Sequence, residues 1–279
     1  MARIIFAIAV AAAVAAVAVF RRRSRWFKEV SALVGQLIEE AAPVEGTVDL
    51  AEVEALPEPV RRFFHHVLED GLPMISQAYL VQKGGFRVRP DGKGWTALCA
   101  RQAFSAVPRA FVWDAKIGAL PGVWVRVCDA YRKGGGAMKA ALAALVNLAD
   151  ARGDERLDQA ALMRYLAEAV WFPTALLPSQ GVRWEEIDDR RAKATITDGG
   201  HTVSLEFAFN DIGEVVSVYA PARFREIDGV YLPTPWEGRF SDYSELDGCR
   251  FPTEAKVAWL PPEGRFAYWK ATITEIRYR

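Results

Sequence analysis

The chain has 279 residues, 51% of them apolar, and equal numbers of basic and acidic side chains. That length fits one large domain or two small ones, and zero net charge excludes the basic field that nucleic-acid binding draws on. Three widely spaced cysteines, Cys99, Cys128 and Cys249, supply neither a disulfide framework nor a metal-ligand spacing.

The first element is an uninterrupted apolar run over residues 4–20, preceded by Arg3 and followed by Arg21, Arg22, Arg23 and Arg25. Seventeen residues is the lower limit for crossing a bilayer core. A cleavable signal peptide is the rival reading, since Ala16-Val17-Ala18 resembles a small-residue cleavage site. Positive flanks tend to stay in the cytoplasm, so the arginines favour an uncleaved single-pass transmembrane anchor (residues 1–23) in the cell membrane, with the soluble part on the cytoplasmic side.

Residues 26–40 continue as a helix, with Phe27, Val30, Val34, Leu37 and Ile38 on one side. Its basic start and Trp26 suit the membrane surface, with the indole at headgroup level. Residues 43–56 read as a linker. The expected organisation is an anchor over 1–23, a juxtamembrane helix and linker over 24–55, and one domain over 56–279.

Pro57 opens a second helix, expected to run to Asp70 before Gly71-Leu72-Pro73 ends it. His65 and His66 are adjacent on it. Neighbouring helical positions point about 100° apart, so the pair does not grip one ion, and no metal site or cofactor is expected. From Ile75 onward the period becomes two, interrupted by a turn at Pro90-Asp91-Gly92. Phe111, Trp113, Ala115 and Ile117 alternate with Val112, Asp114 and Lys116, and Val123, Val125 and Val127 alternate with Trp124 and Arg126. Residues 138–148 fit either strand or helix. Gly134-Gly135-Gly136 lacks the lysine of a phosphate loop.

One amphipathic helix interrupts the strands. Leu157, Ala161, Tyr165 and Ala169 recur four apart, with Leu162, Leu166 and Val170 one position round. Asp154 or Asp158 caps its start, and Pro173 forces an end near Trp171. An apolar plug follows, Trp171-Phe172-Pro173-Thr174-Ala175-Leu176-Leu177-Pro178. Strands resume at residue 182 and continue to residue 278, with a hairpin turn at Asp198-Gly199-Gly200. The fold class is therefore mainly β (α+β): a large curved antiparallel sheet or half-barrel around a central helix, behind an N-terminal transmembrane helix.

Four stretches carry a resemblance: the plug; Pro233-Thr234-Pro235-Trp236-Glu237-Gly238-Arg239-Phe240-Ser241-Asp242-Tyr243; Phe111-Val112-Trp113-Asp114-Ala115; and Asp198-Gly199-Gly200-His201-Thr202-Val203-Ser204-Leu205-Glu206-Phe207. Together they resemble a bacterial family of uncharacterised membrane-anchored proteins, classed only as a domain of unknown function. The resemblance covers most of the chain after Leu56 and implies no activity or catalytic residue. A looser likeness of shape is to the half-barrels of lipoprotein-localisation factors and related lipid carriers, which implies acyl chains held between sheet and helix.

Candidate site residues follow from two signals. Asp129 and Asp242 fall on strand faces otherwise apolar, and a buried carboxylate demands a partner such as Arg101, Arg164 or Arg223. Trp113, Trp171, Phe172 and Trp236 supply aromatic surface of the kind that lines apolar pockets, and Glu168 precedes the plug. The reading is a membrane-tethered domain binding a lipid-like or apolar ligand between sheet and helix. The aromatic residues would contact that ligand, and Asp129 or Glu168 would order its polar end. Two alternatives stay open: an enzyme using paired acids, a hydrolase or isomerase, and a protein-interaction module of the cell envelope. No nucleophile elbow or dinucleotide fingerprint is present. Oligomeric state has no signature.

Overall fold

The computed structural model describes residues 2–89 and 94–279, with backbone alone for residues 2–13 and 15. Among the described residues there are three α-helices, α1 (Ala2–Glu40), α2 (Glu58–Val67) and α3 (Glu155–Glu168). The thirteen strands are β1 (Gln77–Phe86), β2 (Thr96–Ser105), β3 (Ala110–Leu120), β4 (Val123–Arg132), β5 (Gly135–Leu142), β6 (Val146–Arg152), β7 (Arg183–Asp188), β8 (Arg191–Asp198), β9 (His201–Phe209), β10 (Val215–Ile227), β11 (Val230–Leu246), β12 (Cys249–Trp259) and β13 (Phe266–Tyr278). The ambiguous stretch after Met138 is strand, and the turn expected at Pro90-Asp91-Gly92 lies outside the described residues.

All strands form one open antiparallel sheet, ordered β6-β5-β4-β3-β2-β1-β13-β12-β11-β10-β9-β8-β7. It consists of two meanders, β1–β6 and β7–β13, joined where the first strand pairs with the last, for example at Leu80 opposite Ile276. The chain therefore has to travel from one outer edge, β6, to the opposite edge, β7. The expected helix and plug make that journey, which is why they run inside the curve of the sheet. Helix α3 lies against β4 and β5 from one meander and against β9 and β10 from the other.

Local sequence accounts for α3's limits. The Asp154 carboxylate accepts from the Arg156 amide at 2.9 Å, capping the start. Past Glu168 the chain tightens into 3-10 turns at Ala169–Trp171 and Pro173–Leu176, as Pro173 requires. The plug is core: Trp171, Phe172, Leu176 and Leu177 are buried to 1% exposure or less. Its backbone is satisfied by side chains from the sheet. The Tyr278 hydroxyl donates to the Trp171 carbonyl at 2.7 Å, and the Trp184 indole to the Leu176 carbonyl at 3.1 Å.

Curvature brings the β4–β5 and β8–β9 turns together. A Cβ built on Gly199 would fall 2.1 Å from the Gly134 Cα, and one on Gly134 would fall 2.6 Å from the Gly199 Cα. Beside this contact, the Tyr131 hydroxyl donates to Asp198 at 2.6 Å, and Asp158 of α3 accepts from the Gly136 amide at 2.6 Å.

Three expectations need correction at the front of the chain. Helix α1 is continuous from Ala2 to Glu40, and its second half packs on the outer face of the sheet. Trp26, expected at lipid headgroups, is buried with Val30 and Leu37 against Ala103, Ala110, Val112, Cys128, Ala130, Ala141 and Ala144. That stripe of small residues lets a helix approach closely. The stretch read as a linker contains a short 3-10 turn, Leu50–Val53, with Val48 and Val53 in the main core. Helix α2 stops at Val67, short of Asp70, because Leu68 turns extended and bridges to Cys249. Among the described residues no helix is long and apolar enough to cross a membrane. Most of the run over residues 4–20 lies outside the residues whose side chains are described.

The α1 contact is tied by ion pairs, Glu29 to Lys139 at 2.9 Å and Glu40 to Arg132 at 2.9 Å. It also buries donors without acceptors among the described residues: the Trp26 indole N–H and the Arg126 and Arg132 Nε. Each costs about 1–3 kcal/mol, so α1 is the layer expected to lift first. Burial, with Asp114 and Asp129 close by, pushes the Cys128 thiol beneath α1 up to about 12, and burial takes Cys249 in the main core to about 12. Thiolate is the reactive form. Alkylation followed by mass spectrometry should therefore modify exposed Cys99 in the native protein, Cys128 at sub-denaturing urea, and Cys249 only at the global transition. Simultaneous modification of Cys128 and Cys249 would show that α1 and the sheet are one cooperative unit.

Candidate functional site

Four of the residues singled out from sequence share one polar chain on the inner face of the sheet. Arg164, in the C-terminal half of α3, donates to Asp129 at 2.5 Å and to Glu168 at 2.9 Å. Glu168 also accepts from the Gln102 amide at 2.7 Å, Gln102 accepts from Gln82 at 2.9 Å, and Gln82 accepts from the Trp113 indole at 2.8 Å. The guanidinium of Arg164 sits 5.0 Å from the Trp113 ring centre and 4.9 Å from that of Phe111. Register explains the cluster, since Gln102, Trp113 and Asp129 face one another across β2, β3 and β4.

Burial raises the Glu168 carboxyl above the ordinary range, against the pull of Arg164 and Gln102. Burial disfavours the charge on Arg164, yet Glu168 and Asp129 outweigh it and raise its pKa. These acids are locked to a cation, an arrangement that braces α3 against the sheet.

Trp171 and Phe172 lie elsewhere, enclosed by Phe104, Tyr165 and Phe240. The Trp171 indole donates to the Pro252 carbonyl at 3.1 Å. They pack as core and line no opening in this conformation. Trp236 is buried over on β11, its indole bound to the Tyr268 hydroxyl at 3.0 Å and its ring 5.1 Å from the Arg223 guanidinium. Asp242 does not sit on the apolar face. Its φ of +55° breaks the two-residue alternation, so Asp242 is exposed and Tyr243 turns inward, donating to the Val215 carbonyl at 3.0 Å.

A space that a ligand could enter lies on the other side of the sheet. A groove of about 780 Å³ runs between α1 and the outer face of β13, β1, β2 and β3. Val30, Val34 and Ile38 of α1 and Ala103 and Val112 of the sheet form its apolar walls. Gly35 leaves a gap in the helix, where a Cβ would meet nothing within 4 Å. One end is tied by Gln77, whose amide donates to the Ile38 carbonyl at 3.3 Å while its oxygen accepts from the Tyr79 hydroxyl at 2.5 Å. Arg101, Arg277, Arg279, Asp114 and Glu275 supply the charge. Burial raises the Asp114 carboxyl, opposed by Arg126 and Arg101.

Sequence reasoning missed Tyr79, Asp114, Arg277 and Arg279, and treated Arg101 only as a partner for buried acids. A signal existed: Ala110-Phe111-Val112-Trp113 is apolar on both strand faces, the mark of a sheet covered twice. Nothing in the sequence places Arg279 there. Gln82 and Gln102 were legible in principle as polar residues at inward positions of apolar alternations.

The family profile of DUF6920 matches residues 54–278. The chain belongs to this family of unknown function. The matched stretch holds the DUF6920 sheet and α3, while α1, the outer wall of the groove, precedes it. No curated protein matches this DUF6920 chain in sequence. A solved structure similar to it is a LolA superfamily protein from Nitrosomonas europaea. The two share 11% identity over 81% of this chain and 94% of that one, with a TM-score of 0.39.

Proposed function

We propose that this protein is a membrane-tethered binding domain that holds a lipid-like ligand between α1 and the outer face of its sheet. The observation that carries the reading is the groove: about 780 Å³ with apolar walls and a charged mouth, within the 300–1,000 Å³ range typical of ligand sites. The apolar run at residues 4–20 supports the tether. Val14, Val17, Val19 and Phe20 on the same helix are exposed, so α1 carries uncovered apolar surface ahead of the groove. The arginines after the run favour a sheet on the cytoplasmic side, because positive flanks tend to stay there. The inner face is the weaker candidate, because the plug and aromatic rings fill it.

The test is native mass spectrometry and organic extraction of the full chain purified in lipid-free detergent, beside a Gly35→Phe variant. A stoichiometric lipid on the wild type, absent from Gly35→Phe, is the expected result. The variant should be at least as stable, since glycine is a poorer helix former than phenylalanine by up to about 0.5 kcal/mol and the site has room. Equal lipid on both proteins would move the ligand out of this groove.

A further inference from the structure

We infer that the groove selects amphiphiles whose head carries a negative charge, a carboxylate or a phosphate, and that Arg101 and Arg279 read that head. The inference rests on the reading that the groove holds an acyl chain, and adds the chemistry of its head.

The lining separates by polarity. Val30, Val34, Ile38, Ala103 and Val112 form the walls, whereas Arg101, Arg277 and Arg279 are exposed. A chain with its tail under α1 therefore brings its head to the arginines. Strand register arranges the strand residues of the lining in two adjacent rows across the sheet. Asp114, Arg101, Val81 and Glu275 form one, and Val112, Ala103, Tyr79 and Arg277 the other.

The charges do not cancel. Both carboxylates of the lining are already engaged. Asp114 accepts from Arg126 at 2.5 and 2.6 Å, and Glu275 pairs with Arg277. Arg101 and Arg279 have no carboxylate within 4 Å among the described residues. Arg279 is held over the Tyr79 ring, 5.9 Å from its centre, which orders the side chain without using its donors. Two guanidinium groups with free donors at the mouth of an apolar groove match a carboxylate or phosphate, which takes paired, charge-assisted hydrogen bonds. A cationic head would meet repulsion there.

The experiment uses hexadecanoic acid, hexadecyl phosphate and hexadecanol, each with a mid-chain diazirine, added to the full chain in phosphatidylcholine nanodiscs. Crosslinked peptides are mapped by mass spectrometry. The acid and the phosphate should label residues 30–38 and the β2–β3 hairpin about tenfold more than the alcohol, the size of a lost charge-assisted contact. Arg101→Gln with Arg279→Gln should bring the acid down to the alcohol's level, and lysine at both positions should restore part of the difference. Both side chains are exposed, so neither change threatens folding, which circular dichroism checks. Equal groove labelling by alcohol and acid overturns the head-group inference and leaves the lipid-holding reading standing. No groove labelling by any probe overturns both. Complete displacement of the acid by inorganic phosphate marks a site for free anions and also overturns it.

Discussion

Arg164→Met is expected to lower stability by about 3–5 kcal/mol, because it leaves Asp129 and Glu168 as partly buried charges without their cation. For a domain of this size that is a fall in Tm of about 6–20 °C, readable in urea or thermal melts followed by tryptophan fluorescence. Some of the loss is stacking on Phe111 and Trp113 rather than charge. The triple variant Asp129→Asn/Arg164→Met/Glu168→Gln separates the two, since it removes the stranded charges and should recover most of the deficit. A triple variant no better than the single one would assign the role to packing.

The pH dependence has a definite sign. Burial already holds the Glu168 carboxyl above the ordinary range, so the folded state binds that proton more tightly than the unfolded state. Stability then falls as pH rises from the ordinary carboxyl value through the raised one. Removing Arg164 takes away the main opposing influence and extends that window upward. The deficit of Arg164→Met should therefore be smaller at pH 5 than at pH 8. A deficit independent of pH would mean that Glu168 is solvated once Arg164 is gone.

The second large effect is expected at the meeting of the two meanders. Gly199→Ala places a Cβ 2.1 Å from the Gly134 Cα, a clash with backbone that no rotamer relieves. Gly199 also has a φ of +56°, which costs a side chain roughly 1–2 kcal/mol. With overpacking of about 1–3 kcal/mol, the sum is about 2–5 kcal/mol. The turns should part, weakening the Tyr131–Asp198 hydrogen bond and raising amide exchange in the β8–β9 turn. Gly200→Ala is the control: its φ is +84° but nothing lies within 4 Å of its Cβ, so it carries the strain without the clash. Gly134→Ala should match Gly199→Ala, and the pair together should cost little more than either, because the first already separates the turns. Equal losses from Gly199→Ala and Gly200→Ala would assign the effect to backbone strain alone.

Much of this architecture was legible in the residues. Two-residue alternation located the strands because one face of each meets the core, and the last strand ends at residue 278, as expected from the sequence. The helix before the plug was legible because its apolar positions recur at helical spacing, and its start and end because Asp154 caps and Pro173 blocks. The cost of burying a lone carboxylate called for a basic partner for Asp129 such as Arg101, Arg164 or Arg223, and the fold supplies Arg164. These are local properties, written in neighbours three, four or two positions apart.

The tertiary structure alone decided the rest. Alternation says that Asp242 should point inward, but its own left-handed backbone, with φ at +55°, leaves it exposed. The amphipathic side of residues 26–40 says that the helix needs an apolar partner without saying which. A membrane surface and an alanine-rich strand face offer the same burial, and only the register of β2, β3 and β4 brings Ala103, Val112 and Cys128 together beneath it. The groove is further still from local sequence. Its walls come from residues 30–38, 79–81, 101–114 and 275–279, which become neighbours because the last strand pairs with the first. Spacing along a chain fixes periodicity, whereas a site made by closing a sheet depends on contacts nearly two hundred residues apart, as between Leu80 and Ile276.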